Sequence, residues 1–217
     1  MELCRKITGY EKQDGYTLIH TNCADLKVVF VTDEIARVRA SFDKELAEES
    51  YILMTTAWED RLDSLFEGQR TRLAPVEPKF TEDEKTLIFE SAALRLELDK
   101  DPLCIRLYDR EGTELYSTLA GSPFTLDTNK RVTAYSRMQE DDCFYGFGEK
   151  GGALNKNKAF LRERATDAMG YDAELMDTLY KHIPFYIRLN RETKKAVGLF
   201  YHNFYESVFN RSEEAHV

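Results

Sequence analysis

No stretch of the chain approaches 18 consecutive apolar residues, so a membrane-spanning helix is excluded and no membrane partner is expected. Basic clusters are thin as well. Asp and Glu number 39 against 30 Lys and Arg, which leaves a formal net charge of −9. A surface that tracks a phosphate backbone needs grouped Lys and Arg, so no nucleic-acid partner is expected. Met1-Glu2-Leu3-Cys4-Arg5-Lys6 lacks the apolar core of a secretory signal. Cysteine is scarce: Cys4, Cys23, Cys104 and Cys143 include no CxxC pair and are too few to frame a chain of 217 residues with disulfides. Four reduced thiols and a cytoplasmic location are the expectation. Walker, HExxH and zinc-ligand spacings are missing, as is the GxSxG nucleophile elbow, and no cofactor is expected. Internal repeats and low-complexity linkers are absent too.

What is present is an ordinary globular composition, 42 % hydrophobic and 32 % charged, at a length suited to one large domain or two small ones. A core of normal size can be buried without metal or disulfide support. Aromatic residues are plentiful, with Tyr 12 and Phe 13 against one Trp. They sit in short runs with β-branched neighbours, which suits strands. Tyr16–His20, Leu26–Val31 and Ile35–Ala40 open the series. Leu87–Glu90, Leu94–Leu98 and Cys104–Tyr108 continue it. Phe124–Leu126, Val132–Tyr135, Ile183–Leu189, Ala196–His202 and Tyr205–Phe209 complete it. Turn signals at Asp14-Gly15, Asp101-Pro102, Glu111-Gly112 and Gly121-Ser122-Pro123 join these runs closely, so antiparallel pairing is predicted.

One segment reads as a helix. Trp58, Leu62, Leu65 and Phe66 form an apolar face, Thr56 and Glu59 spell a capping box, and Gly68 suits the exit. Phe42–Ser50 is a weaker second helix. The coarse fold is mostly antiparallel β with one or two short helices, in a sandwich or a barrel.

Few motifs suggest chemistry. Gly146-Phe147-Gly148-Glu149-Lys150-Gly151 spells GxGxxG, and Asp167 follows 16 residues later. A dinucleotide site would need a buried strand before it and an amphipathic helix after it. Glu140-Asp141-Asp142 precedes it and Asn155-Lys156-Asn157-Lys158 follows, so the glycines are read as a sharp backbone turn. The acidic runs Glu82-Asp83-Glu84 and Glu140-Asp141-Asp142 read as solvated loop charges. His20, His182, His202 and His216 have no motif around them and read as polar core or surface groups.

The last third of the chain is more specific. Tyr145-Gly146-Phe147-Gly148-Glu149-Lys150 is followed by Leu154-Asn155-Lys156, then Thr166-Asp167-Ala168. Asp177-Thr178-Leu179-Tyr180-Lys181-His182-Ile183-Pro184-Phe185-Tyr186 comes next, then Gly198-Leu199-Phe200-Tyr201-His202-Asn203. In order and spacing this resembles the N-terminal domain of glycoside hydrolase family 31, the α-glucosidase and α-xylosidase family. The detailed resemblance covers about residues 143–205. Two steps depart from the family pattern. Arg164 and Ala165 replace its usual Trp and Asn before the loop aspartate, and Thr178 replaces the proline of its DPLY step.

The resemblance implies a galactose-mutarotase-like β-sandwich over residues 1–217, with a catalytic (β/α)8 barrel expected to follow it. Enzymes of the family hydrolyse α-linked sugars with retention, using two carboxylates about 5–5.5 Å apart. In the family both are barrel aspartates, so no catalytic residue is assigned in this chain and no hydrolysis by it alone is expected. A loop from the sandwich reaches over the barrel mouth, and by motif match its sugar-contacting aspartate is Asp167. The alternative for Asp167 is a turn cap. Glu149 reads as structural, paired with Arg162 or Arg164. Tyr180, Ile183, Pro184 and Phe185 read as a strand entry packing into the core. The implied partners are an α-linked oligosaccharide or glucoside and the chain's own barrel. Tyr and Phe from the 143–160 region are expected on an uncovered barrel-facing surface, which would favour dimerisation. Competing functions are a stand-alone carbohydrate-binding module, a sugar epimerase using His182 or His202 with a glutamate, and a purely structural protein.

Overall fold

Antiparallel hairpins dominate the chain, which divides into two compact units, Met1–Arg137 and Met138–Val217. The computed structural model describes residues 1–46, 49–66, 68–172 and 178–211. The first unit contains β1 (Glu2–Leu3), β2 (Ile7–Gln13), β3 (Tyr16–Thr21), β4 (Asp25–Thr32), β5 (Ile35–Ser41), β6 (Thr55–Thr56) and β7 (Thr71–Arg72). It continues with β8 (Lys79–Glu82), β9 (Thr86–Glu90), β10 (Leu94–Lys100), β11 (Leu103–Asp109), β12 (Glu114–Ser117), β13 (Phe124–Leu126) and β14 (Val132–Ala134). Two meanders form its layers, one ordered β2-β3-β4-β5 and one β12-β11-β10-β9-β8. A smaller sheet, β1-β13-β14, joins them, and β6 and β7 form a short parallel pair.

Turn chemistry explains the meanders. Gly15 turns β2 into β3 at a φ of +76°. The Asp83 carboxylate accepts the backbone N–H groups of Lys85 and Thr86, each at 2.8 Å, and closes the β8–β9 hairpin. Asp109 does the same for Glu111 and Thr113 between β11 and β12. The acidic run at Glu82-Asp83-Glu84 is therefore a turn, in which Glu82 also accepts from the Tyr10 hydroxyl at 2.7 Å and pairs with Lys100 at 2.6 Å.

Period-two alternation then decides what is inside. Ile19, Leu26, Val28 and Phe30 of the four-stranded sheet form one buried cluster with Leu87, Phe89, Leu96, Leu98, Leu103 and Ile105 of the five-stranded sheet. Each such side chain contributes about 1.5–3 kcal/mol relative to an exposed position. Tyr10 and Phe80, on the edge strands β2 and β8, meet with ring centroids 5.2 Å apart and close one side of the sandwich.

The helix predicted from Thr56 is a single 3-10 turn, Asp63–Phe66. Thr56 does not cap it. Its hydroxyl donates to the Trp58 carbonyl at 3.0 Å and accepts from Arg72 at 2.6 Å. Leu65 is exposed and the Trp58 ring lies under the Arg37 guanidinium, 4.1 Å away, so the apolar face is not assembled. Charge holds the segment instead. Arg70 pairs with Asp60 at 2.6 Å and Asp63 at 2.7 Å, donates to the Ser50 carbonyl, and stacks on Phe66. The weaker helix over Phe42–Ser50 is not formed at residues 42–46 or 49–50, and residues 47–48 lie outside the described ones.

The second unit contains β15 (Asp142–Gly146), β16 (Phe160–Glu163), β17 (Phe185–Asn190), β18 (Ala196–Phe200) and β19 (Ser207–Asn210). β17 is the central strand of the sheet β15-β17-β18, and β16 pairs with β19. Its core is aromatic: Phe144, Phe147, Tyr186 and Phe209 with Leu161. The Arg211 guanidinium lies 4.5 Å from the Phe144 ring and 4.6 Å from that of Tyr186. Asp142 is buried rather than solvated, a correction to the reading of its acidic run. It pairs with buried Arg188 at 2.7 Å and accepts from the Asn190 amide at 3.1 Å and the Gln139 N–H at 2.8 Å.

Candidate functional site

The glycine-rich motif is a backbone device. Gly146, Phe147 and Gly148 have φ values of +122°, +67° and +71°, in the left-handed half of conformational space that side chains disfavour. A Cβ at Gly146 would stand 2.7 Å from the Phe185 carbonyl oxygen, and one at Gly148 2.7 Å from that of Lys181. Only glycine fits either place. The turn drives Phe147 completely into the core, where it stacks on Tyr186 with centroids 4.7 Å apart.

Glu149 and Lys150 emerge from this turn and reach two different arms of the segment that carries Asp167. The Glu149 carboxylate accepts the Tyr180 backbone N–H at 3.2 Å. Lys150 pairs at 3.4 Å with Glu163, the last residue of β16, and donates to the Arg162 carbonyl. Both side chains of that pair are buried, 1 % and 0 % exposed. The Thr166 N–H donates to the Leu179 carbonyl at 2.8 Å and ties the arms together. Arg162 and Arg164 turn to Glu206, at 2.9 and 3.8 Å, so neither is the partner expected for Glu149.

Asp167 stands exposed beyond these ties, with buried Ala168 next to it as an anchor. Its carboxylate accepts the Tyr180 hydroxyl at 3.0 Å. That bond raises the phenol's pKa above its ordinary value, because a phenolate would face a carboxylate. Tyr180 went unrecognised in the sequence as a partner of Asp167, although it belongs to the same motif series. Asp177 lies outside the described residues, as does His216.

The Leu154-Asn155-Lys156 step supports β15. Asn155 Oδ1 accepts the Phe144 N–H at 3.0 Å, and the Lys156 N–H donates to the Phe144 carbonyl at 2.8 Å. The Lys156 ammonium donates to the Gly151 carbonyl at 2.6 Å; its burial, and then Lys150, lower its pKa. Burial and Lys150 likewise push His182 below the ordinary histidine value. His202 stacks on Phe200 and meets Phe204 edge-on.

Of the residues read as a strand entry, Pro184 is buried just before β17. Tyr180, Ile183 and Phe185 are exposed, contrary to expectation; Phe185 faces outward because the alternation of β17 sends Tyr186 inward instead. Phe185 and Ile187 project on the same face, opposite Phe200 and Gly198, and all three large side chains are exposed. The Phe185 ring covers Gly198, whose Cβ would lie 2.9 Å from it. The exposed aromatics thus come chiefly from 180–205. In the 143–160 region Phe144 and Phe147 are core, and Phe160 alone of the phenylalanines is exposed.

Comparison with known proteins bears on the family and the fold. The chain is 34 % identical over 131 residues to α-glucosidase 2 of Bacillus thermoamyloliquefaciens, a match covering 60 % of this chain and 16 % of that enzyme. The chain thus spans a small part of its curated relative. Its fold is shared with a Flavobacterium johnsoniae family 31 dextranase complexed with glucose. There the TM-score is 0.80 at 22 % identity, over 99 % of this chain and 24 % of the other. The cycloalternan-forming enzyme of Listeria monocytogenes, in complex with a pentasaccharide substrate, gives a TM-score of 0.75 at 14 % identity, over 98 % and 18 %. The sequence pattern of the glycosyl hydrolase 31 N-terminal galactose mutarotase-like domain matches residues 25–210, and the chain belongs to that family.

Proposed function

We propose that the chain is the N-terminal β-sandwich domain of a retaining α-glucosidase-like hydrolase, that it packs on a catalytic (β/α)8 barrel, and that Asp167 contributes a sugar-binding carboxylate. Hydrolysis would use two barrel aspartates, one as nucleophile and one as acid/base. This chain's part is to bind and orient. A carboxylate accepts hydroxyl hydrogens with defined direction, and charge-assisted bonds exceed neutral ones in strength. The observation that carries the reading is the mounting of Asp167. An exposed carboxylate is steered by the Tyr180 hydroxyl, on a segment whose two arms are both held to the Gly146–Lys150 turn. The apolar face of Phe185, Ile187 and Phe200 supplies a surface for the barrel.

The test is Asp167→Ala in the longer polypeptide that includes the barrel, assayed on p-nitrophenyl α-glucoside and an α-linked disaccharide. Loss of a hydrogen bond from a charged group corresponds to about 1.5–3 kcal/mol, so kcat/KM on the disaccharide should fall about 10- to 150-fold. An unchanged kcat/KM would reduce Asp167 to a turn cap. Measurable sugar affinity of the 217-residue chain by itself would favour the stand-alone binding module.

A further inference from the structure

Far from Asp167 in sequence, two thiols meet. Cys4 Sγ lies 3.5 Å from Cys23 Sγ, and also 3.6 Å from the Thr21 hydroxyl. Cys4 is fully buried, whereas Cys23 is partly exposed. The backbone around them is already fastened. The Asn22 side chain accepts the Arg5 N–H at 2.7 Å and donates to the Leu3 carbonyl at 2.9 Å, and the Asn22 N–H donates to the Lys6 carbonyl at 3.2 Å. Thr21 accepts the N–H groups of Cys23 and Ala24 and fixes the β3–β4 turn. Residues 3–6 and 21–24 are therefore held side by side without help from sulfur. A disulfide needs an S–S distance of about 2.05 Å, so closing this gap takes a side-chain movement of about 1.5 Å.

We infer that Cys4 and Cys23 form a reversible disulfide when the folded chain meets a low-molecular-weight disulfide. The Cys23 thiolate attacks one sulfur of the reagent, forming a mixed disulfide and releasing one thiolate. Cys4 then loses its proton and attacks the Cys23 sulfur, and the second thiolate leaves. Both protein thiols are oxidised, and the reagent is reduced to two thiols. Burial, followed by the contact with Cys4, pushes the Cys23 thiol well above its ordinary pKa. Little thiolate is present at neutral pH, so exchange is slow and its extent rather than its speed is the thing to read. The bond would tie the chain's first strand to the sandwich. β1 pairs with β13, the Cys4 N–H donates to the Phe124 carbonyl, and the Leu103 N–H donates to the Arg5 carbonyl, so residues 2–6 join three sheets.

The experiment incubates the folded 217-residue chain with oxidised glutathione until the reaction stops, then alkylates the remaining thiols in denaturant at acid pH. Tryptic mapping without reductant should give Met1–Arg5 linked to Gln13–Lys27, two hydrogens lighter than the sum of the peptides, with Cys104 and Cys143 alkylated. Dithiothreitol should restore all four thiols. Alkylation of both Cys4 and Cys23 after prolonged exposure, or a glutathione adduct that persists at Cys23 while Cys4 stays free, would overturn the inference. The same mapping on unfolded chain is the control, since there the specific pairing should be lost.

Discussion

Phe147 occupies a left-handed backbone position that a bulky side chain seldom takes, and its full burial against Tyr186 and Phe209 offsets that strain. Gly146→Ala and Gly148→Ala each combine a strained φ with a Cβ pressed on a carbonyl oxygen. Each should destabilise the fold by about 3 kcal/mol. Gly152→Ala meets a φ strain like that at Gly148, with nothing within 4 Å, and should cost only about 1 kcal/mol. Urea unfolding midpoints separate the two cases; equal shifts at all three sites would remove the close approach as the cause. The glycine spacing was legible in the sequence as a turn. The partners of Glu149 were not, because its acceptor role is met by a backbone N–H that no residue letter reveals.

Two histidines make a second residue-scale prediction. The bond from His20 to Asp25, 2.9 Å long, raises the pKa of His20, while burial and Lys150 lower that of His182. For His20 the folded state holds the proton more tightly. Its contribution to stability is complete below pH 6.5 and is lost as pH rises through the raised value. For His182 the unfolded state binds the proton more tightly, so stability falls as pH drops below 6.5. Proton NMR titration of the imidazole C–H signals should place the two on opposite sides of 6.5, with Asp25→Asn moving His20 back towards it. A His20 midpoint at or below 6.5, or a His182 midpoint at or above it, would contradict the corresponding assignment.

At the scale of elements, alternation and turn residues were enough to find most of the first unit's strands. β2 was missed because Ile7-Thr8-Gly9-Tyr10-Glu11-Lys12-Gln13 is an edge strand, half-polar with a glycine inside, and its pairing rather than its composition makes it a strand. The helix from Thr56 failed for a related reason. Its apolar spacing was genuine, but Arg70 and Arg72 come from outside the segment and engage Asp60, Asp63 and Thr56. The buried pair at the base of β15 and β17 offers the test at this scale. Arg188→Met strands Asp142 without its cation in the interior and should destabilise the fold by about 3–5 kcal/mol in urea unfolding. Arg162→Met, which breaks an exposed pair with Glu206, should leave the midpoint nearly where it was. Comparable losses from both would mean that burial is not what gives the first pair its importance.

For the whole molecule, the family was legible in the ordered motifs of the last third. The purpose of most of those residues was not. Tyr145–Lys150 and Leu154–Lys156 serve the fold, whereas Asp167 and Tyr180, both exposed, are joined side chain to side chain in a bond that orients the carboxylate. If the face of Phe185, Ile187 and Phe200 meets a barrel, Ile187→Lys should leave the 217-residue chain's unfolding midpoint close to wild type and sharply reduce the yield of active longer enzyme. An enzyme indifferent to that charge would move the interface elsewhere. The experiment to make before any of these is hydrolysis of p-nitrophenyl α-glucoside by the product of the whole reading frame, beside the 217-residue chain alone. The proposed role requires turnover by the longer polypeptide and none by the 217 residues. Turnover by the isolated chain, or a reading frame that supplies no barrel, would contradict it.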